Sequence, residues 1–370
     1  MTGVKNNMNI KLTNFTRVEC EYNIVRSYEQ TDSYELVSAT NYGQKNYGLV
    51  PRTSYLVPNM ASYLSTRASY LILFFLILAT NLAFSQLSVV SIEKVNLPQS
   101  VQSHNPKFSP DGKSIFFSNG SFNGIWKYDI DNKTTQKVVT DPHSGFGFDI
   151  SPAGDKISYR RSIYQGVERT QEIVEKNLIN NSTNIIESGR HISTPVYFNE
   201  RVISASSISS VSTPSVQAIT DEVKVLGCDD DLKIVILKNG KQATLDPLGT
   251  GGRYIWPQIS PDSKTIVAVN IEQGAFLCTT DGSLIRMLGH RNAPAFTRDG
   301  KWIIYMVDID DGHTLLDSDL YAVSVDGQTT IRLTNDTNIN IFPAPSMTEN
   351  KIAFSTEYGE LFILTYEETR

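Results

Sequence analysis

An all-β fold is what this sequence predicts, and within that class a six-bladed β-propeller of four-stranded antiparallel blades. Three observations lead there: a short phrase that recurs along the chain, a second half-motif that follows it, and the interval between copies. The phrase is Phe108-Ser109-Pro110-Asp111-Gly112-Lys113-Ser114-Ile115-Phe116-Phe117. It returns from Asp149 to Tyr159, from Gln258 to Val267 and from Ala295 to Ile304, with weaker copies near Pro195 and Pro343. Pro-Asp-Gly between two apolar runs is turn chemistry, because Pro presets φ and Gly tolerates φ > 0, so each copy reads as a tight hairpin.

The half-motif supplies two more strands per copy. Residues 124–130 and 135–140 flank the turn Asp131-Asn132-Lys133, and residues 319–325 and 330–334 flank Asp326-Gly327-Gln328. Four strands recurring about every 40 to 50 residues is the period of propeller blades. A helical solenoid would need apolar residues three and four apart, which these alternating or β-branched runs lack.

The phrase, followed by Asp319-Leu320-Tyr321-Ala322-Val323 and Arg332-Leu333-Thr334-Asn335-Asp336, resembles the TolB-type β-propeller repeat over roughly residues 104–366. That resemblance implies the fold. It does not select a function, because such repeats serve periplasmic binding proteins, propeller lyases and the gating domains of prolyl-oligopeptidase-like enzymes alike.

In chain order, blade one is expected over 105–140, blade two over 147–188, blade four over 255–288 and blade five over 293–334. Blade three has a first hairpin at 196–204 but its outer pair, 232–237 and 241–245, arrives late. Either 206–231 is an insertion in a six-bladed ring, or Ser212-Thr213-Pro214 opens a seventh blade. Six is the expectation, since seven leaves one blade with two strands. The last blade, ending at Tyr366, is one strand short, and an incomplete blade exposes an unpaired edge. The strand 87–95 is therefore expected to close it, making 86–370 one propeller domain.

Ahead of the propeller, residues 68–79 form an apolar run too short for a comfortable membrane span of ~20 residues. With Met60 and Arg67 upstream and Ala83-Phe84-Ser85 before Gln86, residues 60–85 read as a signal peptide. An uncleaved anchor is the alternative. Residues 1–59, rich in Asn, Tyr, Thr and Ser, carry no repeat and are expected to be a disordered or non-native upstream extension, from a start placed too far upstream. A periplasmic or secreted location follows, with no stable membrane span after cleavage. Cys20 falls in the discarded part; Cys228 and Cys278 are expected to be unpaired thiols, with one disulfide between them as the alternative. A formal net charge of −6 with 40% hydrophobic residues suits a soluble globular domain and excludes nucleic acid as an expected partner.

Two groups of residues are candidates for a site. His104, His143, His191 and His290 each precede an innermost strand, with Arg253 and Asn338 in the equivalent places of blades four and six, so all six would ring one mouth of the channel. The alternative for each is a polar, solvated loop. Asp308, Asp310, Asp311, Asp317 and Asp319 crowd one hairpin, and hard carboxylate oxygens suit Ca²⁺. Their order does not match the EF-hand loop, and a solvated loop is the competing reading; apart from calcium no cofactor is expected. The chain has no Gly-x-Ser-x-Gly, no P-loop, no Cys-x-x-Cys and no His-Glu-x-x-His. The leading functional expectation is thus an exported, non-enzymatic module binding a protein, peptide or glycan at the channel mouth. A lyase or hydrolase using the mouth histidines, and a structural component of a cell-envelope complex, are the alternatives.

Overall fold

The computed structural model describes residues 86–206 and 223–369, all within the second of two compact units, Phe84–Arg370. The expectations for residues 1–59 and 60–85 lie outside the described residues. Among the described residues no helix is long and apolar enough to cross a membrane.

Each recurrence of the phrase is a hairpin because a hydroxyl and a carboxylate hold the turn. Ser109 N–H donates to the Ser114 carbonyl at 2.8 Å, and Ser114 N–H returns to Ser109 Oγ at 2.9 Å. Ser109 Oγ donates in turn to Asp111 Oδ1 at 2.6 Å. The copies at Ser260 with Asp262 and Thr297 with Asp299 repeat the arrangement. In the second copy Ala153 replaces the aspartate, and Asp155 accepts the Ser151 hydroxyl instead, at 2.9 Å. A local side chain to backbone bond thus fixes the turn before any tertiary contact forms.

Strand β1 (Gln86–Lys94) precedes six blades. Blade one is β2 (His104–Phe108), β3 (Ser114–Ser118), β4 (Ile125–Asp129) and β5 (Thr134–Val139); blade two is β6 (Phe148–Ile150), β7 (Lys156–Gln165), β8 (Glu168–Asn177) and β9 (Thr183–Gly189). The third blade is divided between a hairpin, β10 (Val196–Phe198) with β11 (Arg201–Ile203), and a sheet of β12 (Val223–Cys228), β13 (Ile234–Lys238) and β14 (Lys241–Leu245). Blade four is β15 (Tyr254–Ile259), β16 (Thr265–Asn270), β17 (Gly274–Thr279) and β18 (Leu284–Gly289). Blade five is β19 (Asn292–Phe296), β20 (Trp302–Asp310), β21 (Leu315–Ser324) and β22 (Thr330–Arg332). The last blade runs β23 (Asn340–Pro345), β24 (Lys351–Thr356), β25 (Leu361–Thr369), with β1 outermost and antiparallel to β25 from Gln86↔Thr369 to Lys94↔Phe362. N- and C-terminal segments therefore share one sheet, which leaves no open edge at the closure.

Within the stretch 206–231, expected to be an insertion in a six-bladed ring, residues 223–228 form strand β12 and pair with β13. Its turn to β13 closes through Asp229 N–H to the Lys233 carbonyl at 3.0 Å, with Leu232 left-handed at φ 58°, and carries no Ser-Pro-Asp-Gly phrase. Both Cys228 and Cys278 are free thiols, Cys278 fully buried.

The core is a set of layers between adjacent blades. Phe116, Ile125 and Val139 meet Phe148, Ile157 and Val174 between blades one and two. Val267, Val269 and Leu277 meet Phe296, Ile303 and Tyr305 between blades four and five. Neighbouring residues of one strand face opposite blades, which is why the second strands β3, β16, β20 and β24 are largely buried on both sides. The innermost strands share one further device. Asn105, Trp256, Ala293 and Phe342 are left-handed, at φ 52°, 51°, 44° and 54°, each sits at a break in register, and each precedes a proline. These bulges line a narrow cavity of about 90 Å³ in the channel wall.

Candidate functional site

Blade two departs from its neighbours in the length of its central hairpin. β6 pairs with β7 only from Phe148↔Tyr159 to Ile150↔Ile157, whereas β7 and β8 stay paired out to Gln165↔Glu168 around Gly166 and Val167. The far half of the hairpin thus overhangs the end of the ring where chain segments enter the innermost strands. Alternation along the strands splits its side chains between two faces.

One face anchors the hairpin. Arg161 spans Asp141 Oδ1 at 3.3 Å and Glu172 Oε2 at 2.8 Å, while Tyr159 donates its hydroxyl to Asp141 Oδ2 at 2.5 Å. Asp141 begins the loop into blade two, so these bonds tie that loop to the hairpin. Asn123 Oδ1 accepts the His143 N–H at 3.0 Å, and Ser144 Oγ donates to the Asp141 carbonyl at 2.8 Å, which holds His143 at a left-handed φ of 58°.

The other face carries Arg160, Ser162 and Tyr164 on β7, opposite Gln171 and Arg169 on β8. It lines three adjoining cavities of about 620, 350 and 280 Å³, all of which include Arg169 and Gln171. The smallest lies against Phe122, His143, Phe146 and Tyr164; the largest reaches His191, Cys228, Asp229 and Asp230. Phe122 and Phe146 meet edge to face, 5.5 Å apart at 77°, and the His143 ring lies 6.1 Å from that of Tyr164. Arg160 sits over Phe146, 5.2 Å from the ring centre, and donates to the Ile192 carbonyl at 2.5 Å. Burial and the Arg169 charge both weigh against the Arg160 cation. At the opposite end, burial, with a smaller effect of Asp229, pushes the Cys228 thiol up to about 12, so this cysteine is protonated at neutral pH and is a poor nucleophile.

Of the six expected mouth residues, the structure brings His143 and His191 to this cleft. His104 is half-buried against Gly120, and its burial lowers its pKa. His290 is exposed, Arg253 pairs with Glu272 at 3.4 Å, and Asn338 donates its N–H to Asp336 Oδ1 at 2.8 Å. Arg160, Arg169, Gln171 and Phe146 escaped the sequence reading, although the mostly polar stretch from Arg160 to Gln171, with Gly166 near its middle, was a signal of a longer hairpin.

The five aspartates divide between two faces of the β20–β21 hairpin. Asp308 pairs with Ser318, while Asp317 pairs with Ile309 and Asp319 with Val307, so Asp317 and Asp319 point away from Asp308. Asp319 is buried and bonded to Arg332 and to Thr334 Oγ1, Asp308 accepts from Asn292 at 2.5 Å, and Asp310 and Asp311 cap backbone N–H groups of their own turn. Among the described residues no three His, Cys, Asp or Glu side chains gather as a metal site.

No family model matches the chain, and no curated protein matches it in sequence. Among solved structures it is similar to TolB from Acinetobacter baumannii, at 16% identity and a TM-score of 0.49, covering 67% of this chain and 58% of that one. The shared feature is the β-propeller architecture of antiparallel blades. The chain is also similar to oligogalacturonate lyase from Vibrio parahaemolyticus, at 11% identity and a TM-score of 0.46 over 72% of this chain and 79% of that one. Hydrazine synthase from Kuenenia stuttgartiensis gives 14% and 0.42 over 72% and 77%. At such identities these likenesses concern the fold alone.

Proposed function

We propose that this chain is an exported binding module that takes a peptide segment, free or presented by a protein, in the cleft under the β7–β8 overhang. The observation that supports this is the joining of three cavities along Arg169 and Gln171 into one open trough that runs from Phe122 to Asp230. A trough with aromatic rings and cations at one end and carboxylates at the other suits an extended chain with several distinct groups better than one compact molecule. Export rests on the signal-like segment 60–85 read from the sequence.

The test sets purified protein against a peptide array and a glycan array in parallel, with metal content measured on the same preparation. Retention of peptides, reduced by His191→Ala, supports the module. Stoichiometric metal together with turnover of a polysaccharide would replace it with the lyase reading.

A further inference from the structure

The aromatic end of the cleft carries a charge imbalance. Its lining residues, Phe122, His143, Phe146, Arg160, Ser162, Tyr164, Arg169 and Gln171, include two guanidinium groups and no carboxylate. Among the described residues Arg169 makes no ion pair, and Arg160 bonds only to a carbonyl, while the Arg161 cation on the opposite face is met by both Asp141 and Glu172. Two like charges near enough to disfavour each other, over a partly apolar floor, call for an anion between them. Gln171 adds to the donors. Its Oε1 accepts the Ile192 N–H at 3.1 Å, which leaves its NH₂ group for the cavity. Arginine presents a planar fork that matches a carboxylate in two bonds.

The apolar surroundings decide what carries that anion. A sugar acid stacks on a flat, uncovered ring and needs hydrogen-bonding partners for several hydroxyls. Here one face of Phe146 is taken by Arg160, Phe122 stands edge-on to it, and four side chains of the lining, Ser162, Gln171, His143 and Tyr164, are left to serve a sugar's hydroxyls. A corner between two rings, closed by Tyr164, fits a bulky apolar side chain next to a single anionic group.

We propose that this end of the cleft binds the C-terminal carboxylate of a peptide whose last residue is large and apolar, with the carboxylate between Arg160 and Arg169 and the side chain against Phe122, Phe146 and Tyr164. This rests on the peptide reading above and assigns its polarity: the peptide runs back from its terminus toward Asp229 and Asp230. The acidic end then favours basic residues a few positions before the terminus.

Binding of fluorescent tetrapeptides ending in phenylalanine to the full chain tests it, each peptide made with a free terminus and as the C-terminal amide. Amidation should weaken binding about tenfold or more, the usual worth of a charge-assisted pair. Arg169→Ala should cost a similar factor, and amidation should then make little further difference; Arg169 and Tyr164 are exposed, so unchanged melting of Arg169→Ala and Tyr164→Ala checks the fold. Equal binding of acid and amide would overturn the terminal-carboxylate site and leave the peptide module standing. Binding of oligouronates with no binding of any peptide would overturn both.

Discussion

Gly112 and Thr348 meet where the first turns of blades one and six touch, so closely that a Cβ on Gly112 would overlap Thr348 Oγ1. Gly112 is also left-handed, at φ 73°. Gly154 occupies the equivalent turn of blade two at φ 74°, yet a Cβ there would meet nothing within 4 Å. Gly154→Ala should therefore cost about 1–2 kcal/mol, the backbone penalty alone. Gly112→Ala should cost more, and the excess should shrink when Thr348→Ala is added. Equal losses in the two single variants, measured by denaturant unfolding, would show that the turns do not bear on one another.

The closing strand gives a second expectation. Leu87 is 1% exposed and packs with Leu364 and Tyr366 in the layer between blades five and six. Leu87→Ala should cost about 2–5 kcal/mol, as for other buried leucines, and shorten the lifetime of the closed ring. Val90, which is 59% exposed on the same strand, is the control, and Val90→Ala should leave the melting temperature almost unchanged. A similar small effect at Leu87 would mean that β1 is dispensable.

Much of this fold was legible because its signals are local. Ser109 and Asp111 hold their turn through bonds spanning five residues, so the phrase announces the hairpin wherever it occurs. Strand β12 was not legible, because its turn lacks the Ser-Pro-Asp-Gly phrase and places a leucine, Leu232, in the left-handed region. The cleft was harder still. His143 and His191 could be placed at the mouth by their position before an innermost strand, but Arg160 and Arg169 lie across a hairpin whose length depends on its pairing register. The aspartates show the same limit from the other side: crowding in sequence suggested a single cluster, and alternation across β20 and β21 separates them.

Processing is a third expectation. Protein recovered from its native exporting host should begin at Gln86, the first residue of β1, because Ala83 and Ser85 stand where signal peptidase prefers small residues. Edman sequencing or intact mass of the mature chain decides it, and a mature protein retaining residues 1–59 would refute export by this segment.

The fourth expectation concerns His104. Burial lowers its pKa below 6.5 in the folded chain, so between the folded value and 6.5 the unfolded chain binds the proton more readily. Stability therefore rises with pH across that window and is lost as pH falls through it. The melting temperature of the parent should fall more steeply than that of His104→Gln as pH is lowered from about 7 to about 5, the range over which histidine titrates. Parallel profiles would mean that His104 is as solvated when folded as when unfolded.

The last expectation returns to the acidic hairpin. If Asp308, Asp310, Asp311, Asp317 and Asp319 held calcium together, binding to the folded state alone would add about 2.7 kcal/mol with the ion at a hundred times its dissociation constant. That would raise the melting temperature by a few degrees and would vanish with a chelator. The arrangement of the hairpin points the other way, because Asp319 already serves Arg332 and Thr334, and Asp310 and Asp311 already accept backbone N–H groups. Those N–H bonds hold the Asp311 carboxyl below the usual carboxylate range without any cation. Melting temperatures in calcium and in magnesium of matched ionic strength should accordingly coincide, with only the small rise expected from screening the three exposed carboxylates, Asp310, Asp311 and Asp317. A calcium-selective gain abolished by Asp310→Ala would show that the hairpin rearranges to bring both faces onto one ion.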